Sequence, residues 1–174
     1  MNRQMKLMLA LILATGMTNT ALAECQGGEN AAIPAATPSE GFFDFNNGLV
    51  LHRPTQLVWM RCAIGQEWTG SGCSGEPELM NWAAALNAAA DAELNGHSDW
   101  RLPNRNELNS IVESRCHDPA INGAIFPDAP TIGFWTSSPA DPASAWTAGF
   151  DQGELLLRPT SETAAVRLVR AGRM

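Results

Sequence analysis

Ser98-Asp99-Trp100-Arg101-Leu102-Pro103-Asn104-Arg105-Asn106-Glu107-Leu108 is the stretch from which the fold is read. Asn104 is placed to cap a helix, and Glu107, three residues on, can reach back to close a capping box. Leu108, Ile111 and Val112 then supply the buried stripe of a helix expected to end near Cys116. On the N-terminal side, Leu79, Trp82, Ala83, Leu86 and Ala90 recur at helical spacing. Glu76-Pro77-Glu78 puts proline and acids where a helix start tolerates them, and Asn95-Gly96 reads as its stop.

Outside this helical middle the pattern is that of strands. Gly41–Phe45 is a short aromatic strand, Asn46-Asn47-Gly48 a hairpin turn, and Leu49–His52 and Leu57–Arg61 two more strands, which makes a β-meander. After the helices, Phe134–Thr136, the alternating stretch around Trp146, Ala148 and Phe150, Leu155–Leu157 and a final alternating strand Ala164–Val169 make a second β region. Strands, two helices and strands again give an α+β domain with antiparallel sheets.

The chain begins with the basic Arg3 and Lys6, continues in an apolar run from Leu7 to about Met17, and reaches Ala21-Leu22-Ala23. That order is the anatomy of a secretory signal cut after Ala23. The run is too short for a membrane span, which needs roughly 20 apolar residues. The expected organisation is a signal over 1–23, an extended Pro/Gly/Ala-rich arm over 24–40 tied down mainly by Cys25, and one domain over 41–174. Cleavage leaves nine arginines, no lysine and eighteen acids, a net charge of −9. A nucleic-acid binder needs a basic footprint, so that class is excluded.

Four cysteines in an exported chain read as two disulfides. Of the three possible connectivities, a Cys62–Cys73 bridge suits the ten-residue Gly- and Ser-rich loop between them, which leaves Cys25 to reach Cys116. The histidines His52, His97 and His117 are isolated, so no zinc site is expected. Asp44-Phe45-Asn46-Asn47 is the one stretch with some character of a calcium loop. Ser137-Ser138 lacks the context of a nucleophile elbow. No metal, cofactor or catalytic residue is expected.

The ordered words Trp59-Met60-Arg61-Cys62, Trp68, Cys73, Trp82, Ser98–Leu108, Asp118–Asn122, Phe126-Pro127, Phe134–Ser138, Ala145-Trp146 and Val166–Arg170 resemble one family. It is the bacterial DUF1566 family, also called the Lcl C-terminal domain family, and the likeness runs from about Phe42 to Arg170. The resemblance implies a C-type-lectin-like fold related to the formylglycine-generating enzyme domain. It also implies the pairs Cys62–Cys73 and Cys25–Cys116. An adhesin of the family binds glycosaminoglycans through a basic surface, from which this acidic, lysine-free chain departs.

The functional expectation is an exported, non-catalytic binding or adhesion module of the bacterial cell envelope, periplasmic or secreted. Its partner would be a glycan, a peptide or an envelope protein. The alternative is an enzyme of the formylglycine-generating type, which uses a reactive cysteine pair late in the chain. Nothing after Cys116 is a cysteine. Among the six tryptophans, Trp59, Trp82, Trp100 and Trp135 read as core, and Trp68, inside the short cysteine loop, is the candidate ligand contact. Asp99, Arg101 and Arg105 read as a buried ion-pair cluster knitting their segment to the sheet, and Arg167 and Arg170 are read the same way. The oligomeric state is left open by the sequence.

Overall fold

A computed structural model describes residues 24–172. The expected export signal over 1–23 lies outside the described residues, as do Arg173 and Met174. The chain is α+β, and its sheets are mostly antiparallel.

A ribbon of two short strands opens the described chain, β1 (Gly28–Glu29) pairing with the later β7 (Cys116–His117). The meander follows as β2 (Phe42–Asp44), β3 (Leu49–His52) and β4 (Leu57–Met60), and β11 (Val169–Ala171) joins it to give the order β11-β4-β3-β2. The small ribbon β5 (Glu67–Trp68) and β6 (Cys73–Ser74) comes next, then helices α1 (Trp82–Ala90) and α2 (Arg105–Asn109). The second sheet has β9 (Ser144–Gly149) between β8 (Gly133–Asp141) and β10 (Glu154–Pro159).

Both helices are shorter than their periodicity indicates. In α1 the cap is Asn81, whose side chain accepts from the Ala84 N–H, and the residues before it run extended. Glu78 N–H donates to Ile64 O, and Met80 bridges Ala164. Asn95-Gly96 is not a helix stop. With φ of 52° and 75° it is the centre of a tight turn in which Leu94 and His97 exchange backbone bonds of 3.0 Å, the hairpin use of an Asn-Gly pair. The Asn104/Glu107 capping box forms as read. α2 nevertheless ends at Asn109, because Val112 bridges Ile121 and Glu113 N–H donates to Ala120 O, which draws the chain off the helix axis.

Two apolar cores flank the meander sheet. Phe42, Val50, Leu57, Trp59 and Val169 face one, with Leu108, Phe126 and Phe134; Leu49 and Val58 face the other, with Trp100, Leu102 and Trp135. Two-sided burial explains why β3 and β4 are apolar almost throughout. It also corrects the expected final strand: Ala164–Val169 is buried at every position. Ala164, Val166 and Leu168 belong to one core, and Ala165 and Val169 to the other. The alternation is there, but it sorts between two interiors rather than between core and water, and only Val169–Ala171 pairs as a strand.

The N-terminal arm is held by more than its cysteine. The buried carboxylate of Glu113 accepts from the Ala36 N–H at 2.9 Å, the Thr37 N–H at 2.7 Å and the Thr37 hydroxyl at 3.0 Å. Asn122 Nδ2 donates to Thr37 O at 2.9 Å. Cys25 is bonded to Cys116 and Cys62 to Cys73, with Cα–Cα distances of 5.3 and 5.5 Å.

Candidate functional site

The period-two geometry of strands places Leu49 and Leu51 on one face of the meander. Register continues that row to Val58, opposite Leu51, and to Arg170, opposite Val58. At one end this row is left partly uncovered. The β2–β3 turn raises Phe45 and Asn47 on one side, and the Leu94–His97 turn raises Asn95 and His97 on the other. The result is an open groove of about 280 Å³ with an aliphatic floor, an aromatic wall and a rim of two amides, an imidazole and a guanidinium. Phe45 is 42% exposed. Arg170 is fixed by its Nε–H, which donates to Asp99 Oδ1 at 2.7 Å, and that bond holds the Asp99 carboxyl below its ordinary value.

Trp68 stands behind this groove. It lies on β5 opposite Cys73, half buried, with the Arg61 guanidinium 4.3 Å from its ring centre. Arg61 is anchored by Asp44 Oδ2 at 2.6 Å and by the carbonyls of Ile125 and Ala124 at 2.7 and 2.8 Å. On the other side, Gly48 has φ of +84°, and a Cβ there would stand 3.0 Å from Trp68 Cβ and Cγ. Both the backbone angle and the close approach require glycine. Trp68 therefore packs against the turn whose neighbours Asn47 and Leu49 line the groove. Asp44 is committed as well: its Oδ1 accepts from Asn46 N–H and its Oδ2 takes Arg61, so the residues read as a calcium loop are spent on turn and ion pair.

The cluster of Asp99, Arg101 and Arg105 is not buried. Arg101 meets Glu107 through two bonds of 2.7 and 2.8 Å on the surface, Asp99 pairs with Arg170, and Arg105 lies 5.2 Å from the Trp146 ring centre. The main chain does the knitting instead, because Arg101 and Val169 exchange N–H···O bonds of 3.0 Å and leave the Arg101 side chain facing water. Burial raises the Glu107 pKa, but the bonds from Arg101 and the Asn104 N–H outweigh it, so the carboxyl stays below its ordinary value. A second hollow, about 400 Å³ between α1 and the Trp100–Glu107 segment, contains these groups. They already satisfy one another, so its polar lining offers a ligand little.

Arg167, by contrast, is wholly buried and has no carboxylate partner among the described residues. It donates to Met60 O at 2.9 Å and to Arg61 O, and its guanidinium lies 4.8 and 5.4 Å from the ring centres of Phe126 and Phe134. Burial pushes its pKa down to about 9. It is a structural cation that joins the C-terminal segment to the β4 end, and it takes no part in the groove.

Of the tryptophans read as core, Trp59, Trp100 and Trp135 are buried, whereas Trp82 is half buried with its indole N–H donating to Thr136 O at 2.8 Å. All four cysteines are in disulfides. Among the described residues no three His, Cys, Asp or Glu side chains stand together as metal ligands. Phe45, Asn95, His97 and Arg170 were not legible as a site. Their one local signal is a pair of Asn- and Gly-containing turns, and nothing in the sequence says that the two turns meet.

The family model of the Lcl C-terminal domain matches residues 48–170. No curated protein matches the chain.

Proposed function

This chain belongs to the Lcl C-terminal domain family, and from that premise we propose that it is an exported, non-catalytic binding module of the cell envelope, with a C-type-lectin-like fold. The observation that carries the reading is the groove between the Phe45–Leu49 and Asn95–His97 turns. Ligand sites are concave, largely apolar, and supplied with a few convergent polar groups, and this one has that composition at a size suited to one sugar ring or one amino-acid side chain. Phe45 offers an aromatic face to the apolar side of a pyranose, and Asn47, Asn95 and His97 offer hydrogen bonds to its hydroxyls. Trp68 enters as the support of the Gly48 turn that carries Asn47 and Leu49, and its half-buried ring is kept as a further candidate contact. Two disulfides agree with an oxidising compartment, and residues 1–23 supply the export signal. The proposed organisation is a cleaved signal over 1–23, an arm over 24–40 and the binding domain over 41–174.

The net charge of −9 after cleavage selects among ligands. It repels another polyanion over about 8–10 Å at physiological salt, so the partner is a neutral glycan or an envelope protein rather than a sulfated polysaccharide. The test is an array of neutral glycans, heparin and envelope proteins probed with the oxidised protein, beside the variants Phe45→Ala and His97→Ala. Binding to a neutral ligand that both variants lose, with melting temperature unchanged, supports the proposal. Binding that both variants retain places the site elsewhere, and retention on heparin above physiological salt overturns the charge argument.

A further inference from the structure

β10 is the outer strand of the second sheet: it pairs with β9 on one side only. Apart from the Thr147 hydroxyl of β9, which donates to Leu156 O at 3.3 Å, the main chain of 154–158 makes no hydrogen bond beyond that pairing among the described residues. Soluble proteins blunt such edges with lysines, prolines or bulges. Here the edge reads Glu154-Leu155-Leu156-Leu157-Arg158, and Leu156 and Leu157 are 47% and 56% exposed. Proline comes only at the end, as Pro159.

The order of these residues is self-complementary. In an antiparallel pairing of β10 with a second β10 about a two-fold axis at Leu156, Leu156 meets Leu156 of the other copy. Leu155 meets Leu157, and Glu154 meets Arg158, each twice. Because side chains alternate across a strand, one face carries two opposite-charge pairs around a central leucine pair. The other face carries two leucine pairs that continue Leu155, which already packs on the core. Opposite charges directly across antiparallel strands stabilise and like charges do the reverse. A slip of one residue in either direction sets a charge opposite a leucine, so this register is singled out. Pro159, without an N–H, and Gly153, at φ of +80°, bound the segment at its ends.

We propose that β10 is a homodimerisation edge, through which two copies of this chain join their three-stranded sheets into one antiparallel sheet of six. An interface built on five residues is smaller than a standard stable one, so the dimer is weak and forms at high protein concentration. Isologous two-fold pairing of this kind closes on itself and does not propagate.

Sedimentation equilibrium of the oxidised protein, from micromolar to near-millimolar concentration, is the measurement. Wild type is expected to move from monomer to dimer and to stop there. Glu154→Arg alone and Arg158→Glu alone each set like charges across the axis and are expected to abolish the dimer. Glu154→Arg with Arg158→Glu restores opposite charges and is expected to recover it. Arg158 also meets Glu162 at 3.2 Å, so the recovery in the double variant separates pairing from local damage. As a further readout, Leu156→Cys is expected to give a disulfide-linked dimer, because facing Cα atoms in antiparallel strands lie about 4.5–5.5 Å apart. A monomer throughout the range, a dimer indifferent to either single reversal, or assembly beyond two copies overturns the proposal.

Discussion

The guanidinium of Arg61 covers the ring of Trp68 at 4.3 Å, while its Nη1 holds Asp44 at 2.6 Å. One cation thus ties the short disulfide loop to the end of β2. Its place between two cysteines in a Gly-rich loop makes Trp68 a candidate ligand contact by sequence. Its ring also packs against Arg61 and Gly48, which makes it a support of the turn that carries Asn47 and Leu49.

Trp68→Ala is therefore expected to lower stability by about 1–3 kcal/mol, from lost apolar burial and lost cation–π contact. It should also weaken groove binding through movement of the Asn46–Gly48 turn. Urea unfolding of Trp68→Ala beside Phe45→Ala gives the comparison. If Trp68→Ala unfolds like wild type, the indole is not structural and its role is at the ligand alone.

The two disulfides differ in what they close. The Cys25–Cys116 bridge spans 91 residues and Cys62–Cys73 only 11. In the chain-entropy model these are worth about 4.6 and about 2.8 kcal/mol. The Cys25→Ser/Cys116→Ser variant is expected to melt lower than Cys62→Ser/Cys73→Ser. The reverse order would mean that the short loop, through Trp68 and Arg61, contributes more to the core than the long closure does. Glu113 and Asn122 also hold the arm, so the first variant is expected to loosen it without releasing it.

Arg167 makes stability depend on alkaline pH in a definite direction. Its folded pKa of about 9 lies well below the ordinary value for arginine, so between those values the unfolded chain binds more protons than the folded one. Stability contributed at this site therefore rises with pH across that window. From pH 7 to pH 10 the wild type should gain about 1 kcal/mol relative to Arg167→Met. The window is unusually free of other titrations, since the chain has no tyrosine, no free thiol, and no lysine after Lys6. Unfolding free energies of both proteins at the two pH values check it. A difference that stays constant, or that moves toward the variant at pH 10, would show that the guanidinium is not desolvated as the structure has it.

Several elements of this protein were decided within a few residues of chain, and those were legible in the sequence. The Asn104/Glu107 capping box, the Asn46–Gly48 turn, the three meander strands and the short cysteine loop all depend on local backbone preference, and each stands where its residues indicate. Local preference did not decide what happens where distant segments compete for the same groups. Met80 takes Ala164 as its partner, so α1 starts late; Val112 takes Ile121, so α2 stops early. The Ala164–Val169 segment alternates, yet which side of it is water and which is protein is set by the second core, a product of tertiary packing alone. The groove belongs to the same category. Its wall, rim and guanidinium come from turns near residues 46 and 96 and from Arg170, and no rule of spacing connects them. Only the packing of the Trp100 segment onto the meander, where Arg101 bonds Val169 across about seventy residues of chain, brings the two turns to face each other.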